Sequence, residues 1–158
     1  MRVRIRCQYD SVGNVPDPTQ PPINVAIRSA VDSDWPSMAR LAATCFGAFR
    51  ATETDDMWRS MIPDGGAVLA VDGDQVVGIS MYVDLLLTVP GGTVLPAAGV
   101  TWVAVSPTHR RRGILRAMLA ELHQRITAND YPIAALLASE GGIYGRFGYG
   151  PATIEQQL

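Results

Sequence analysis

Apolar and polar residues alternate in two rhythms along this chain, and each change of rhythm marks an element. Ile23, Val25 and Ile27 alternate with Asn24, Ala26 and Arg28, a period of two that predicts a half-buried strand over 23–29. Trp35, Met38, Leu41, Ala42 and Cys45 then recur at helical spacing, so a helix is expected over 33–46, capped by Asp32 or Ser33 and tolerant of Pro36 in its first turn. A short helix over 53–62 carries Met57, Trp58, Met61 and Ile62, and Pro63 with Gly65-Gly66 stops it. From Ala67 the rhythm is that of strands. AVLAVD, a turn at Asp72-Gly73, VVGISMYVDLLLTV, a second turn over 90–93 and VLPAAGVTWVAV predict an antiparallel meander.

Leu115, Met118, Leu119, Leu122 and Ile126 form one apolar stripe, the mark of an amphipathic helix, which Asn129-Asp130 and Pro132 end. An apolar strand over 133–139 follows, so strand 99–105, helix and strand 133–139 make one right-handed βαβ crossover with parallel strands. GGIYGRFGYG reads as a glycine-rich turn holding a single helical turn, and residues 152–158 as a last strand. The expected fold class is α/β (α+β): a mixed central sheet with an antiparallel N-terminal meander and a βαβ crossover.

Composition narrows this to one domain. The chain has 158 residues, 47% of them hydrophobic, enough for one core and too few for two ordinary domains. Residues 10–22 include four prolines and no periodic apolar face, so residues 1–22 are expected as a flexible leader and 23–158 as the folded domain. A net charge of −2 with no like-charge block argues against a nucleic-acid partner. No apolar run suits a signal peptide or membrane span, and Cys7 and Cys45 match no metal or disulfide pattern, so a cytoplasmic setting is expected. All thirteen cationic side chains are Arg, the residue whose planar fork suits phosphate oxygens.

The chemistry concentrates in residues 100–119, where a strand runs through a basic turn directly into a helix. The first N–H groups of a helix lack internal partners and lie at the positive end of its dipole, which suits phosphate. Arg110, Arg111 and Arg112 add positive charge to a positive helix end, an unfavourable arrangement unless an anion lies between them. Gly113 lets a ligand approach the backbone. The turn lacks the GK[ST] ending of a P-loop and the GxGxxG of a dinucleotide site, so a pyrophosphate of another kind is indicated. Tyr144 stands among Gly141, Gly142 and Gly145, a setting that gives its phenol room and lets backbone approach closely.

The strand, basic turn and helix resemble the acetyl-CoA site of the GNAT superfamily, whose pattern is Arg or Gln, two residues, Gly, one residue, then Gly or Ala. Arg110 to Ile114 match it and Leu115 departs from it. DWP, LTVPGG, PTHRRRG, RAM, AELH and ASEGGIYGRFGYGPAT extend the resemblance to the N-terminal domain of the enhanced intracellular survival (Eis) family of bacterial N-acetyltransferases, from about Asn24 to Gln157. The resemblance implies a GNAT fold and acetyl transfer from acetyl-CoA, as co-substrate, to a small-molecule or protein amine, and it leaves a homo-oligomer open. It implies that Val103, Ala104 and Val105 bond the pantetheine arm, that Arg110, Arg111, Arg112, Gly113 and Ile114 meet the pyrophosphate, that Tyr144 is the general acid, and that Phe46, Trp58 and Trp102 line the acceptor pocket. The acidic pocket residue of some members falls on Ala48, with Glu53, Asp55 and Asp56 nearby as candidate substitutes, and the family's C-terminal carboxylate base has no counterpart up to Leu158, where Glu140 is the best substitute. An acyl-CoA-binding domain with little turnover of its own is the alternative. His123 reads as a surface residue and His109 as a phosphate neighbour.

Overall fold

The computed structural model describes residues 2–7, 25–47, 57, 59–138 and 140–154. Among the described residues there are seven strands: β1 (Arg2–Cys7), β2 (Ala26–Ser29), β3 (Ala67–Asp72), β4 (Gln75–Thr88), β5 (Val94–Val105), β6 (Ile133–Ala138) and β7 (Gly150–Ile154). They form one sheet in the order β2-β3-β4-β5-β6-β1-β7. Helix α1 (Trp35–Phe46) packs on one face and α2 (Ile114–Ala128) on the other.

The meander is as the rhythm predicts: β2, β3, β4 and β5 are successively antiparallel. Its turns rest on glycines in the left-handed region, Gly73 (φ 57°) after β3 and Gly91 and Gly92 (φ 93° and 82°) after β4. The crossover is also as predicted, since β6 lies parallel to β5 with α2 between them. Boundaries moved slightly. The first predicted strand starts at Ala26 and the first helix at Trp35, after a 3₁₀ turn at Asp32–Asp34. Asp34 fixes this entry: its carboxylate accepts two hydrogen bonds from Arg28 on β2, at 2.6 and 2.8 Å, and one from the Val31 N–H. The Arg28 bond, against some desolvation, holds the Asp34 carboxyl below the usual carboxylate range.

One expectation fails. Residues 2–7, read as part of a leader, form β1, which runs antiparallel to both β6 and β7 and links them in the sheet. The reading went astray because the prolines begin only at Pro16, while VRIRC before them has the alternation of a strand. The rest of the predicted leader, and the last four residues of the predicted final strand, lie outside the described residues. Of the short helix expected over 53–62, Met57, Arg59, Ser60 and Met61 are helical.

The α2 side of the core joins Met118, Leu119 and Leu122 to Val68, Ala70, Val77 and Tyr82 of the sheet. Gly78 sets how closely α2 approaches: a β-carbon there would lie 2.8 Å from Met118 Sδ and 3.0 Å from the Ala70 β-carbon. Gly78→Ala is therefore expected to overpack this contact and cost roughly 1–3 kcal/mol, read as a lower urea midpoint at unchanged m-value.

Candidate active site

The β5–β6 ladder is short. Its partners are Ala98 with Ala134, Gly99 with Ala135 and Val100 with Leu136, and past Val100 the two strands have no registered pair. The β6-facing edge of Thr101 to Val105 thus carries backbone N–H and C=O groups that an extended ligand can pair with. Just there β5 bulges: its register with β4 shifts between Ile79 and Met81, and Trp102 takes φ 50°. Such strain in a non-glycine residue is held by its surroundings, here a stack of Trp102 on Trp35 with ring centroids 5.5 Å apart.

At the end of β5 the chain makes a 3₁₀ turn at Pro107–His109 and enters α2 at Ile114, with Gly113 as N-cap at φ 78° and Arg111 also left-handed at 63°. No side chain caps α2, and the first helical bond runs from the Ala117 N–H to the Gly113 carbonyl. Successive N–H groups at the start of the helix are left for a ligand. The three arginines divide. Arg110 and Arg111 line a cavity, whereas Arg112 donates to the Thr108 carbonyl at 3.2 Å and braces the turn. Ile114 is buried in the core, so it offers the ligand backbone only. His109, expected beside phosphate, is held from both sides, 2.8 Å from the Thr108 hydroxyl and 3.2 Å from an Asp72 carboxylate oxygen.

The cavity, about 1110 Å³, is lined by Val103, Ala104, Val105, Arg110, Arg111 and Gly113 together with Tyr144, Glu140 and, toward α1, Phe46, Trp102 and Leu137. This volume exceeds what a compact small ligand needs and suits an elongated one with a second molecule beside it. Sequence reasoning thus placed most of its site residues on one surface. Trp58 lies outside the described residues.

Tyr144 opens the 3₁₀ turn Tyr144–Phe147, and burial raises its phenol above the ordinary tyrosine value. Tyr149 is a different kind of residue. It is 3% exposed, part of the core, and 2.9 Å from His123 Nε2. This pair corrects the reading of His123 as a surface residue, since its ring turns in against the buried phenol. Cys45 lines the cavity too, but burial raises its thiol pKa and its S–H donates to the Val105 carbonyl at 3.7 Å, which keeps it protonated rather than a nucleophile. The described residues contain no cluster of metal-ligating side chains and no helix long and apolar enough to cross a membrane.

Residues 26–152 match the acetyltransferase (GNAT) domain family. The chain belongs to that family. It is 56% identical over 140 residues to the N-acetyltransferase Eis of Mycobacterium tuberculosis, an alignment covering 86% of this chain and 35% of that protein. The crystal structure of Eis1 from Mycobacterium abscessus superposes with a TM-score of 0.70 at 32% identity, covering 79% of this chain and 31% of that one. The GNAT family protein YhbS of Escherichia coli, solved in complex with CoA, shares the fold with a TM-score of 0.66 at 23% identity, covering 82% of this chain and 71% of that one. The chain thus spans about a third of the length of its mycobacterial Eis relative, 35% by the alignment. The expected GNAT fold, with its mixed sheet and βαβ crossover, is the one observed.

Proposed function

We propose that this domain transfers an acetyl group from acetyl-CoA to a primary amine by direct attack, with Tyr144 as general acid. The observation that carries this reading is one continuous cavity joining the uncapped, arginine-flanked start of α2, the open edge of β5 and the half-buried Tyr144 phenol. These residues fit acetyl-CoA. The N–H groups after Gly113, with Arg110 and Arg111, hold the pyrophosphate, and the backbone of Val103 to Val105 pairs with the amide-bearing pantetheine arm as an added strand would. Acetyl-CoA supplies a thioester, whose carbonyl the amine attacks and whose thiol departs.

Tyr144 gives its proton to the departing sulfur, a transfer from a phenol to a thiolate of lower basicity that a high phenol pKa does not forbid once the site aligns the two. Glu140 is the one carboxylate among the described lining residues and takes the proton that an ammonium must lose before it attacks. Because Glu140 is exposed, water can stand in for it. Glu140→Gln is expected to lower kcat about tenfold near neutral pH, and the loss should shrink toward pH 10, where the amine is already free. A deficit that stays constant across that pH profile removes Glu140 from the role.

Calorimetry with acetyl-CoA, followed by thiol release on adding an amine, tests the whole reading. Binding and amine-dependent release are expected. Binding without release favours an acyl-CoA-binding domain, and absence of binding ends the proposal.

A further inference from the structure

The turn between β5 and α2 is poorly suited to hold its own shape. Arg111 and Gly113 both lie in the left-handed region, no side chain caps α2, and three consecutive guanidinium groups crowd the positive end of a helix dipole. Its support comes from the neighbouring hairpin. The Ser106 N–H donates to the Val77 carbonyl on β4 at 2.8 Å. Among the described residues, the one side-chain hydrogen bond from residues 106–113 to another element joins His109 to Asp72, the last residue of β3. Asp72 is a firm anchor, because it pairs with Gln75 across a two-residue connection that leaves the strand end little freedom.

Four polar side chains run in line from the hairpin into the turn. The Asp72 carboxylate accepts, so His109 Nε2 carries a proton and donates to it at 3.2 Å. Nδ1 then accepts from the Thr108 hydroxyl at 2.8 Å, and that hydroxyl accepts from Ser106 at 2.9 Å. Arg112 donates to the Thr108 carbonyl, so side chains on both sides of Arg110 and Arg111 converge on Thr108.

Exposure separates the two ends of this line. His109 is 12% exposed and lines the cavity, whereas Asp72 is 46% exposed and lies outside the lining. So open an ion pair adds little to stability. A carboxylate near an anion's site also opposes the ligand by charge, so what Asp72 contributes there is position.

Resting on the acetyl-CoA reading above, we infer that His109 and Asp72 are positioning residues for the pyrophosphate. Tied to the β3–β4 hairpin, the turn keeps Arg110, Arg111 and the first N–H groups of α2 arranged for the phosphates before the ligand arrives, which lowers the ordering cost of binding. His109 acts through the turn and not as a phosphate ligand, because both of its ring nitrogens are engaged.

The sign of one substitution separates position from charge. Asp72→Ala removes a negative charge from the neighbourhood of an anion, which by charge alone tightens binding. Loss of the tie is expected to weaken it instead, by about 3- to 30-fold in the Kd for acetyl-CoA measured by calorimetry on the full chain. Asp72→Asn removes the same charge but keeps an acceptor for Nε2–H, and should bind at least as well as the wild type. His109→Phe keeps the volume of the ring and loses both nitrogens, so in that background Asp72→Ala should no longer weaken binding. Any effect of Asp72 on the hairpin itself is common to both backgrounds and cancels. The Ala and Asn variants decide alone should the His109 variant not fold. Unchanged or tighter binding by Asp72→Ala, weakened binding by Asp72→Asn, or an equal loss in both backgrounds overturns the inference and leaves the acetyl-CoA site standing. The expected pattern in a protein that releases no thiol with any amine supports the positioning role and overturns only the transfer reaction. A wild type that does not bind acetyl-CoA overturns both.

Discussion

Tyr144→Phe is expected to lower kcat by about 10²-fold or more while acetyl-CoA binds as before, because the substitution removes one proton and almost no volume. The phenol faces the cavity and its ring packs edge-on to Tyr149, with centroids 6.0 Å apart, so the Phe ring keeps the same seat. Tyr149→Phe should separate the two phenols. It removes the partner of His123 in the core, and the expected cost is stability, about 1 kcal/mol or somewhat more for the lost buried hydrogen bond, with turnover little changed. The pH dependence follows from the sign of the Tyr144 shift. An acid works only while protonated, and burial raises this phenol above its usual value near 10, so the rate has no alkaline descending limb from Tyr144 below about pH 10. Any decline that begins near pH 8 in the wild type, and is absent from Tyr144→Phe, would contradict the assignment.

How far the sequence carried this picture depended on whether a feature was local. The meander and the crossover are periodicity read over stretches long enough to decide between 2 and 3.6 residues, and β3, β4, β5 and α2 stand where that periodicity put them. The basic turn was legible for the same reason, since Arg110 to Gly113 lie next to one another and a strand-to-helix junction says which way the N–H groups point. Features made by distant segments were not legible. The bulge that turns Trp102 to φ 50° depends on register with β4, and the opening of the β5 edge depends on where pairing with β6 ends. The inward turn of His123 required Tyr149, 26 residues away, to be buried beneath α2. β1 was missed differently: VRIRC carried a strand signal, but the proline-rich stretch behind it made a leader the simpler reading. Of the three arginines, spacing alone could not separate Arg110 and Arg111, which reach the cavity, from Arg112, which braces the Thr108 carbonyl.

Gly113→Val is expected to weaken acetyl-CoA binding by roughly 10- to 100-fold. Two effects meet at this residue, and they can be told apart. Gly113 has φ 78°, a left-handed conformation that costs a β-branched side chain about 1–2 kcal/mol, so part of the change will show as lost stability in the protein without ligand. The rest concerns the anion. A hydrogen bond from a backbone N–H to a charged group contributes about 1.5–3 kcal/mol, which is one to two decades in Kd, and with the pyrophosphate placed as proposed, a branched side chain at the N-cap, Gly113, would stand in its path. Gly113→Asn isolates this second effect. Asn tolerates the left-handed region better than other side chains, so stability should be largely kept while a side chain now occupies the approach to the helix start. Calorimetry on both variants, beside their thermal midpoints, decides the matter: an Asn variant as stable as the wild type that still binds acetyl-CoA equally well would place the pyrophosphate elsewhere than at the start of α2.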